Sequence, residues 1–374
     1  MSALSAENTL RRIWQAGVDA VRGDTAVAAA LASDAPPRPD RILAVGKAAV
    51  PMARAALARY AAVPALAVTK YGHGTGAPPG LTVLEAAHPV PDAASLAAGR
   101  ALYDAVAAMS ADETLLLLVS GGASALAECP AEGVSLDDLA AENARLLAGG
   151  QDIHAINARR RALSRIKGGG LLAAFGGAGA TVLAISDVSG DDIAVIGSGI
   201  GQCPAAAGGT CETRIVASNA IARDAAAAAA RAAGLAVHVN AEDLYGEVEL
   251  LARALGPRLR ALPPGVAILG GEPTVTLPPD PGRGGRNQAL ALALARQIAG
   301  EAGLTLLVAG TDGTDGPTQA AGGIVDGASW ARATGGAEAL ARADAGRWLA
   351  AQRCLFTTGP TGTNVMDLMI ALRG

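Results

Sequence analysis

Aromatic side chains are nearly missing, at 2% of 374 residues. Proteins that bind single-stranded nucleic acid stack bases on such rings, so that class is disfavoured. A net charge of -4 likewise offers no overall positive field to nucleic acid or to an anionic membrane. Cysteine is scarce as well. The four, Cys129, Cys203, Cys211 and Cys354, show no C-x-x-C spacing, and no basic and apolar leader opens the chain. These absences predict a reducing, cytoplasmic setting with neither structural disulfides nor zinc. There are four histidines, and with no H-E-x-x-H or H-x-x-E-H spacing a zinc hydrolase is disfavoured. His73 and His88 fall in loops where a ligand could touch them, whereas His154 and His238 read as ordinary helix and strand residues. The longest apolar strings, "TLLLLVS" and "AAAAAARAAG", are far below the roughly 20 residues a membrane-spanning helix needs, so a soluble protein is expected.

What the chain does have is short β-rich runs alternating with longer alanine-rich helical ones, the pattern of parallel strands joined by crossover helices. Strand candidates are "RILAVG" (41–46), "ALAVT" (65–69), "TVLEAA" (82–87), "TLLLLVS" (114–120), "TVLAISD" (181–187) and "RIVAS" (214–218). Most are apolar throughout, as strands covered on both faces are. Helices are predicted near 5–32, 48–60, 93–109, 135–165 and 219–233. A second set follows: "GVAILGG" with "PTVTL" (265–277), helix 287–299, strand "LTLLVAG" (304–310), helix 337–352 and strand "CLFTT" (354–358). The fold class is therefore α/β, with two domains spanning 1–240 and 262–374 and a joining segment that closes at "LPPG".

In open α/β sheets ligands sit at the carboxyl ends of the strands, and here those ends are glycine-rich and polar. "AVGKAAVPMA" puts Gly46 and Lys47 where a strand turns into a helix, offering backbone N–H groups and an ammonium to an anion. It is not a Walker A loop. "LLVSGGASALAECP" sets Ser120, Gly121, Gly122 and Ser124 after a buried strand, where glycines let a backbone approach phosphate. A tight strand-to-helix turn explains the same residues. "AISDVSGDD" ends on Asp187, Ser189, Asp191 and Asp192, carboxylates that could hold Mg²⁺ through one or two oxygens or could cap a helix. "GGEPTVTLPPDPGRGGRNQALAL" combines Glu272, Arg283 and Arg286 with Gly284 and Gly285, and Asn287 reads as the N-cap of the helix that follows. "GTDGTDGPT" supplies Thr311, Asp312, Asp315 and Thr318; taken singly, its aspartates fit repeated Asp-Gly turns equally well. The dense basic run "ARRRALSRIK" (158–167) reads as either a solvated face or an anion site. Taken together, cations, glycine cradles and carboxylates at strand ends match what phosphoryl transfer from ATP with Mg²⁺ demands.

The motifs "VGKAA", "TKYGHG", "HPVPD", "VSGGASAL", "SRIKGGGLL", "SDVSGDD", "GGEPTV", "GRGGRNQ", "GTDGTDGPT" and "TGPTGTNVMDL" run in order from residue 45 to residue 368. In these the sequence resembles the glycerate 2-kinases of the MOFRL family, catalogued in bacteria also as hydroxypyruvate reductases. The resemblance implies an N-terminal Rossmann-like doubly wound domain, a smaller C-terminal α/β domain and an active site in the cleft between them. It implies transfer of the ATP γ-phosphoryl group to the 2-hydroxyl of D-glycerate, with Mg²⁺ required, and leaves a homodimer open. Carried over by motif, Lys47 becomes the leading catalytic cation, Arg286 its partner and Asp187 a catalytic carboxylate. Gly46, Ser120, Gly121, Gly122, Ser124, Lys167, Gly284, Gly285, Asn287, Thr311 and Thr318 become nucleotide-binding candidates, and Asp191, Glu272, Asp312 and Asp315 metal candidates. Asn157, Arg160, Arg165 and Lys167 precede the glycine triplet, and Arg165 and Lys167 are candidates for the substrate carboxylate. Gln319 stands where the family commonly has an acidic residue. The competing reading, an NAD(P)H-dependent hydroxypyruvate reductase, needs a G-x-G-x-x-G turn after the first strand, which "AVGKAAVPMA" lacks.

Overall fold

The computed structural model describes residues 3–148, 159, 161–205 and 209–374. His154, Asn157 and Arg160 lie outside the described residues. The chain forms two compact units, one of residues 21–218 with 362–364, the other of residues 1–20, 219–361 and 365–374.

The first of these, here the parallel unit, is built on β1 (Arg41–Val45), β2 (Ala65–Lys70), β3 (Leu81–Ala86), β4 (Thr114–Val119), β5 (Gly179–Ile185) and β6 (Thr210–Ala217). Every pairing is parallel, in the order β3-β2-β1-β4-β5-β6. The apolar runs that predicted two-sided burial behave so: all of β4 after Thr114, and all of β1 after Arg41, are buried. Among its longer helices are α2 (Gly23–Ser33), α3 (Ala49–Arg59), α4 (Ala93–Ala107) and α5 (Leu136–Ala148). Asp92 starts α4 by accepting from Ser95 N at 2.9 Å while Ser95 Oγ accepts from Asp92 N, a reciprocal cap. The strand order runs outward in opposite directions from β1 and β4. Loops leaving their carboxyl ends therefore diverge and open a crevice, the place where such sheets hold ligands.

The second, mixed unit contains β7 (Val237–Glu242), β9 (Gly265–Gly271), β11 (Leu304–Gly310), β12 (Gly322–Asp326), β13 (Leu355–Phe356) and β14 (Asp367–Arg373), ordered β13-β12-β11-β14-β9-β7. All pairs are antiparallel except β7 with β9. A small ribbon pairs β8 (Gly246–Glu247) with β10 (Pro273–Thr274). Its longer helices are α1 (Ala3–Ala20), α6 (Asn219–Ala232), α7 (Val248–Arg260) and α8 (Arg286–Gln297). Residues Asn287 to Ala295 of α8 are all buried, so its Leu-Ala alternation fills a core on every side instead of marking a strand.

Two sequence expectations are corrected here. The compact units do not follow the expected division into 1–240 and 262–374, because α1 and α6 belong to the mixed unit. A β-carbon on Gly17 would lie 2.8 Å from Ala222 O, and its absence is what lets α1 close on α6. The expectation of no disulfide is also overturned: Cys203 is bonded to Cys211, whose Cα atoms are 5.8 Å apart. Cys203 lies just after Gly201 and Cys211 within β6, and no recognisable spacing announces their pairing. Cys129 and Cys354 are buried thiols. No described helix is long and apolar enough to cross a membrane.

Candidate active site

In the parallel unit two loops are stitched together at the β1–β4 crevice. Ser120 N donates to Val45 O at 2.9 Å, Lys47 N to Gly121 O at 2.9 Å, and Ala48 N to Ser120 Oγ at 3.1 Å. Ser120 is fully buried, so the expected phosphate ligand is instead the tie that satisfies a buried N–H at the head of α3. Gly46, with φ of +124°, has the same structural character. A β-carbon there would fall 2.3 Å from Ser120 O.

Gly121 and Gly122 form the floor of the site, and different groups border each. A β-carbon at 121 would lie 2.1 Å from Asp187 Oδ2 and 2.5 Å from Asn364 Nδ2; one at 122 would lie 3.2 Å from His88 Nε2 and 3.3 Å from Lys47 Cγ. Asp187, Asn364, His88 and Lys47 thus surround the glycine pair. Asn364 Nδ2 donates to Asp187 Oδ2 at 3.3 Å. Neither Asn364 nor His88 was among the assigned site residues, although "TGPTGTNVMDL" and "HPVPD" contain them. In the following loop Asp191 and Ser198 adopt left-handed φ of 54° and 56°, conformations that cost non-glycine residues energy and concentrate at functional sites. Ser124 Oγ shares a hydrogen bond with Ser198 Oγ at 2.9 Å.

Lys167 is turned inward. Its ammonium pairs with Glu128, both side chains being almost fully buried, and Glu128 also accepts from Ser164 Oγ and from Cys129 N. Sequence reading passed over Glu128, whose signal was an acid inside an otherwise apolar turn. The Arg165 guanidinium stacks 4.0 Å over the Tyr103 ring.

The mixed unit gathers a second set. Arg286 Nε and Nη2 donate to the two oxygens of Asp367 at 2.6 and 3.2 Å, while Nη1 donates to Glu272 Oε1 at 2.7 Å. Three of the five guanidinium N–H groups are so engaged, which leaves one on each Nη. Burial works against this charge, but Asp367 and Glu272 outweigh it and hold Arg286 protonated more firmly than usual. Asp367, whose side chain is 2% exposed, is a further residue that sequence reading missed.

Asp315 does other work. Its oxygens accept from Asn287 N at 3.0 Å and Gln288 N at 2.8 Å, so it caps α8 from a distant loop. Gly285, not Asn287, is the N-cap residue, and a β-carbon there would lie 2.3 Å from Asp315 Oδ1. Asn287 Nδ2 also turns to Asp315, at 3.3 Å. Burial pushes the Asp315 carboxyl up to about 6, against the pull of the Gln288 and Asn287 N–H groups. Thr318 Oγ1 donates to Asp315 O and accepts from Gln288 Nε2, both at 2.8 Å. Thr311, fully buried, donates to Met366 O at 2.6 Å. Gly284 packs close to Gly346 N, where a β-carbon would lie 3.0 Å away. Asp312 Oδ1 accepts from Thr314 N and Oγ1, both at 2.9 Å, as in a local turn. Among the described residues, no three His, Cys, Asp or Glu side chains are grouped so that they could hold a metal ion.

Comparison with known proteins completes this picture. Residues 9–233 match a family described as a domain of unknown function (DUF4147), and residues 265–367 match the MOFRL family. The glycerate 2-kinase of Pyrococcus horikoshii is 34% identical, over 88% of this chain and 86% of that protein. An Agrobacterium vitis protein provisionally named as a hydroxypyruvate reductase is 36% identical, over 89% of this chain and 99% of its own. A crystal structure of glycerate kinase from Thermotoga maritima superimposes with a TM-score of 0.89 at 34% identity, covering 99% of this chain and 100% of the other.

Proposed function

The chain belongs to the DUF4147–MOFRL family of glycerate kinases, and from that premise we propose how it acts: it transfers the γ-phosphoryl group of ATP to the 2-hydroxyl of D-glycerate, giving 2-phosphoglycerate and ADP. The observation that carries the assignment to residues is the crevice between β1 and β4, where Lys47, the Gly121–Gly122 floor and Asp187 meet. Strand order 3-2-1-4-5-6 supports reading the parallel unit as Rossmann-like, with nucleotide phosphates over its glycine floor.

In this reading the glycerate O2 forms a bond to the γ-phosphorus as the bond to the β,γ-bridging oxygen breaks, and ADP departs with that electron pair. The hydroxyl proton passes to the Asp187 carboxylate. Lys47 is assigned to neutralise charge that develops during the transfer, and Arg286, through its two remaining N–H groups, is assigned the same kind of task. Arg286 suits the task because Asp367 and Glu272 fix the plane of its guanidinium beforehand.

Mg²⁺ belongs to the same proposal. Glu272 is engaged by Arg286, Asp315 by the head of α8 and Asp312 by Thr314, so these three do not fit as its ligands. Asp191 fits: it is partly exposed, and although its N–H donates to Val188 O at 3.4 Å, its carboxylate makes no hydrogen bond or ion pair among the described residues. An ion that arrives on nucleotide phosphates needs only one or two carboxylates, and it would supply positive charge to the phosphate oxygens.

Phosphorus NMR of the product formed from ATP, Mg²⁺ and D-glycerate tests the function. The expected resonance is that of 2-phosphoglycerate; formation of the 3-phosphate, or of none, removes the assignment. The reductase name carried by the Agrobacterium vitis relative motivates the second reading. It requires NADH oxidation by hydroxypyruvate at a kinase-like turnover together with no ATP-dependent product. A cytoplasmic location is also part of the proposal. In a reducing cytoplasm Cys203 and Cys211 should be trapped as thiols by alkylation of freshly lysed cells.

A further inference from the structure

Asp187 projects over Gly121, and the group that meets it there comes from far along the chain. The parallel unit incorporates Gly362–Asn364, three residues otherwise flanked by the mixed unit. Two hydrogen bonds seat this segment independently of Asn364: Gly23 N donates to Gly362 O at 2.9 Å, and Thr363 Oγ1 donates to Val21 O at 2.5 Å. Asn364 is therefore delivered by a backbone already anchored at the start of α2. Its Nδ2 reaches Asp187 Oδ2 at 3.3 Å. The missing side chain of residue 121 provides the room, since a β-carbon there would strike both the carboxylate and the amide.

We propose that Asn364 is a positioning residue: its amide holds one oxygen of Asp187 over Gly121 and so fixes the orientation of the carboxylate toward the reacting hydroxyl. This rests on the role given to Asp187 above. A carboxylate on a short side chain can rotate about χ2, and an unrotated carboxylate is what in-line attack requires. A neutral donor is suited to the place. A lysine or arginine there would pair with Asp187 and lower its capacity to accept the proton, and a carboxylate would repel it.

The test is a set of four purified full-length variants, N364D, N364A, D187N and the exchange D187N/N364D, assayed with ATP, Mg²⁺ and D-glycerate. N364D is isosteric but puts a repelling carboxylate in place of the donor, whereas N364A removes the donor without adding charge. The expected outcome is that N364D and N364A keep the wild-type melting temperature within a few degrees and the KM values within about twofold, while kcat falls at least about thirtyfold. The exchange variant restores a donor–acceptor pair with its partners reversed, so it should fold as well as wild type and remain inactive. A kcat within threefold of wild type in N364D and N364A overturns the inference. So does a loss that follows the melting temperature and is recovered by the exchange, since that is the behaviour of a merely structural bond. D187N separates the two levels: wild-type turnover in D187N removes Asp187 from the mechanism itself, whereas an inactive D187N beside an active N364D removes only the role of Asn364.

Discussion

Gly46 and Gly121 follow strands that neighbour each other in the sheet, β1 and β4, and look interchangeable as letters, yet their substitutions should fail differently. At Gly46 a β-carbon meets the backbone of Ser120, at 2.3 Å from O and 2.7 Å from C, and φ of +124° is hostile to any side chain. Gly46→Ala should cost about 3 kcal/mol or more, read from urea unfolding, because neither backbone can yield. Gly121 does not have positive φ, and the atom its β-carbon would strike first is the tip of Asp187. A flexible tip moves at small cost. Gly121→Ala should lose about 1 kcal/mol or less while kcat drops at least about tenfold, because the carboxylate is pushed out of place. A large stability loss with normal turnover in the folded fraction would contradict this. The same residue scale shows what the letters concealed. Lys47, Asp187 and the glycine pair stand at strand ends and were readable from that position alone. Asn364 and Asp367 were not, because their meaning comes from partners 177 and 81 residues away. Ser120 and Asp315 had the expected chemistry at the expected loops, but backbone N–H groups that would otherwise be orphaned had prior claim on them.

At the scale of elements, two-sided burial made the parallel strands legible: "RILAVG" is β1 and "TLLLLVS" is β4 to within a residue. The predicted helix over 5–32 is instead two, separated at Val21 and Arg22. The joining segment between the two expected domains holds α7 and follows directly on β7, the strand that contains His238; α7 carries Pro257 inside it, a residue that disrupts the pattern by which a helix is read. Strand β14 went unread, yet it lies between β11 and β9.

The remote cap of α8 carries an element-scale prediction. Folding raises the Asp315 carboxyl from an ordinary 3.8 to about 6. Between those values the folded state retains a proton that the unfolded state has released, so stability is greatest below about 4 and declines as pH rises to 6. The decline from this group should approach about 3 kcal/mol. Asp315→Asn cannot titrate. The difference in urea-unfolding free energy between wild type and this variant should therefore fall from pH 4 to pH 6 and then level; a flat difference would refute it. The disulfide closing the loop before β6 acts on the same scale. Replacing Cys203 and Cys211 together by Ser should lower stability by about 2–3 kcal/mol, as expected for so short a loop.

For the molecule as a whole, the decisive question is whether residues carried by separate units serve one chemical step. Lys47 belongs to the parallel unit and Arg286 to the mixed unit, each with its own sheet and core. In the proposed mechanism each neutralises charge during phosphoryl transfer, and removal of either should lower kcat at least about a hundredfold without unfolding the protein. Groups that act as one assembly lose most of their value when the first is removed. Lys47→Ala and Arg286→Ala combined should consequently fall much less than the product of the two single losses, measured as kcat at saturating ATP and D-glycerate. If the losses multiply, the two cations contribute independently. If either single variant turns over at the wild-type rate, that residue leaves the mechanism, and the charge it was assigned must be carried by another group.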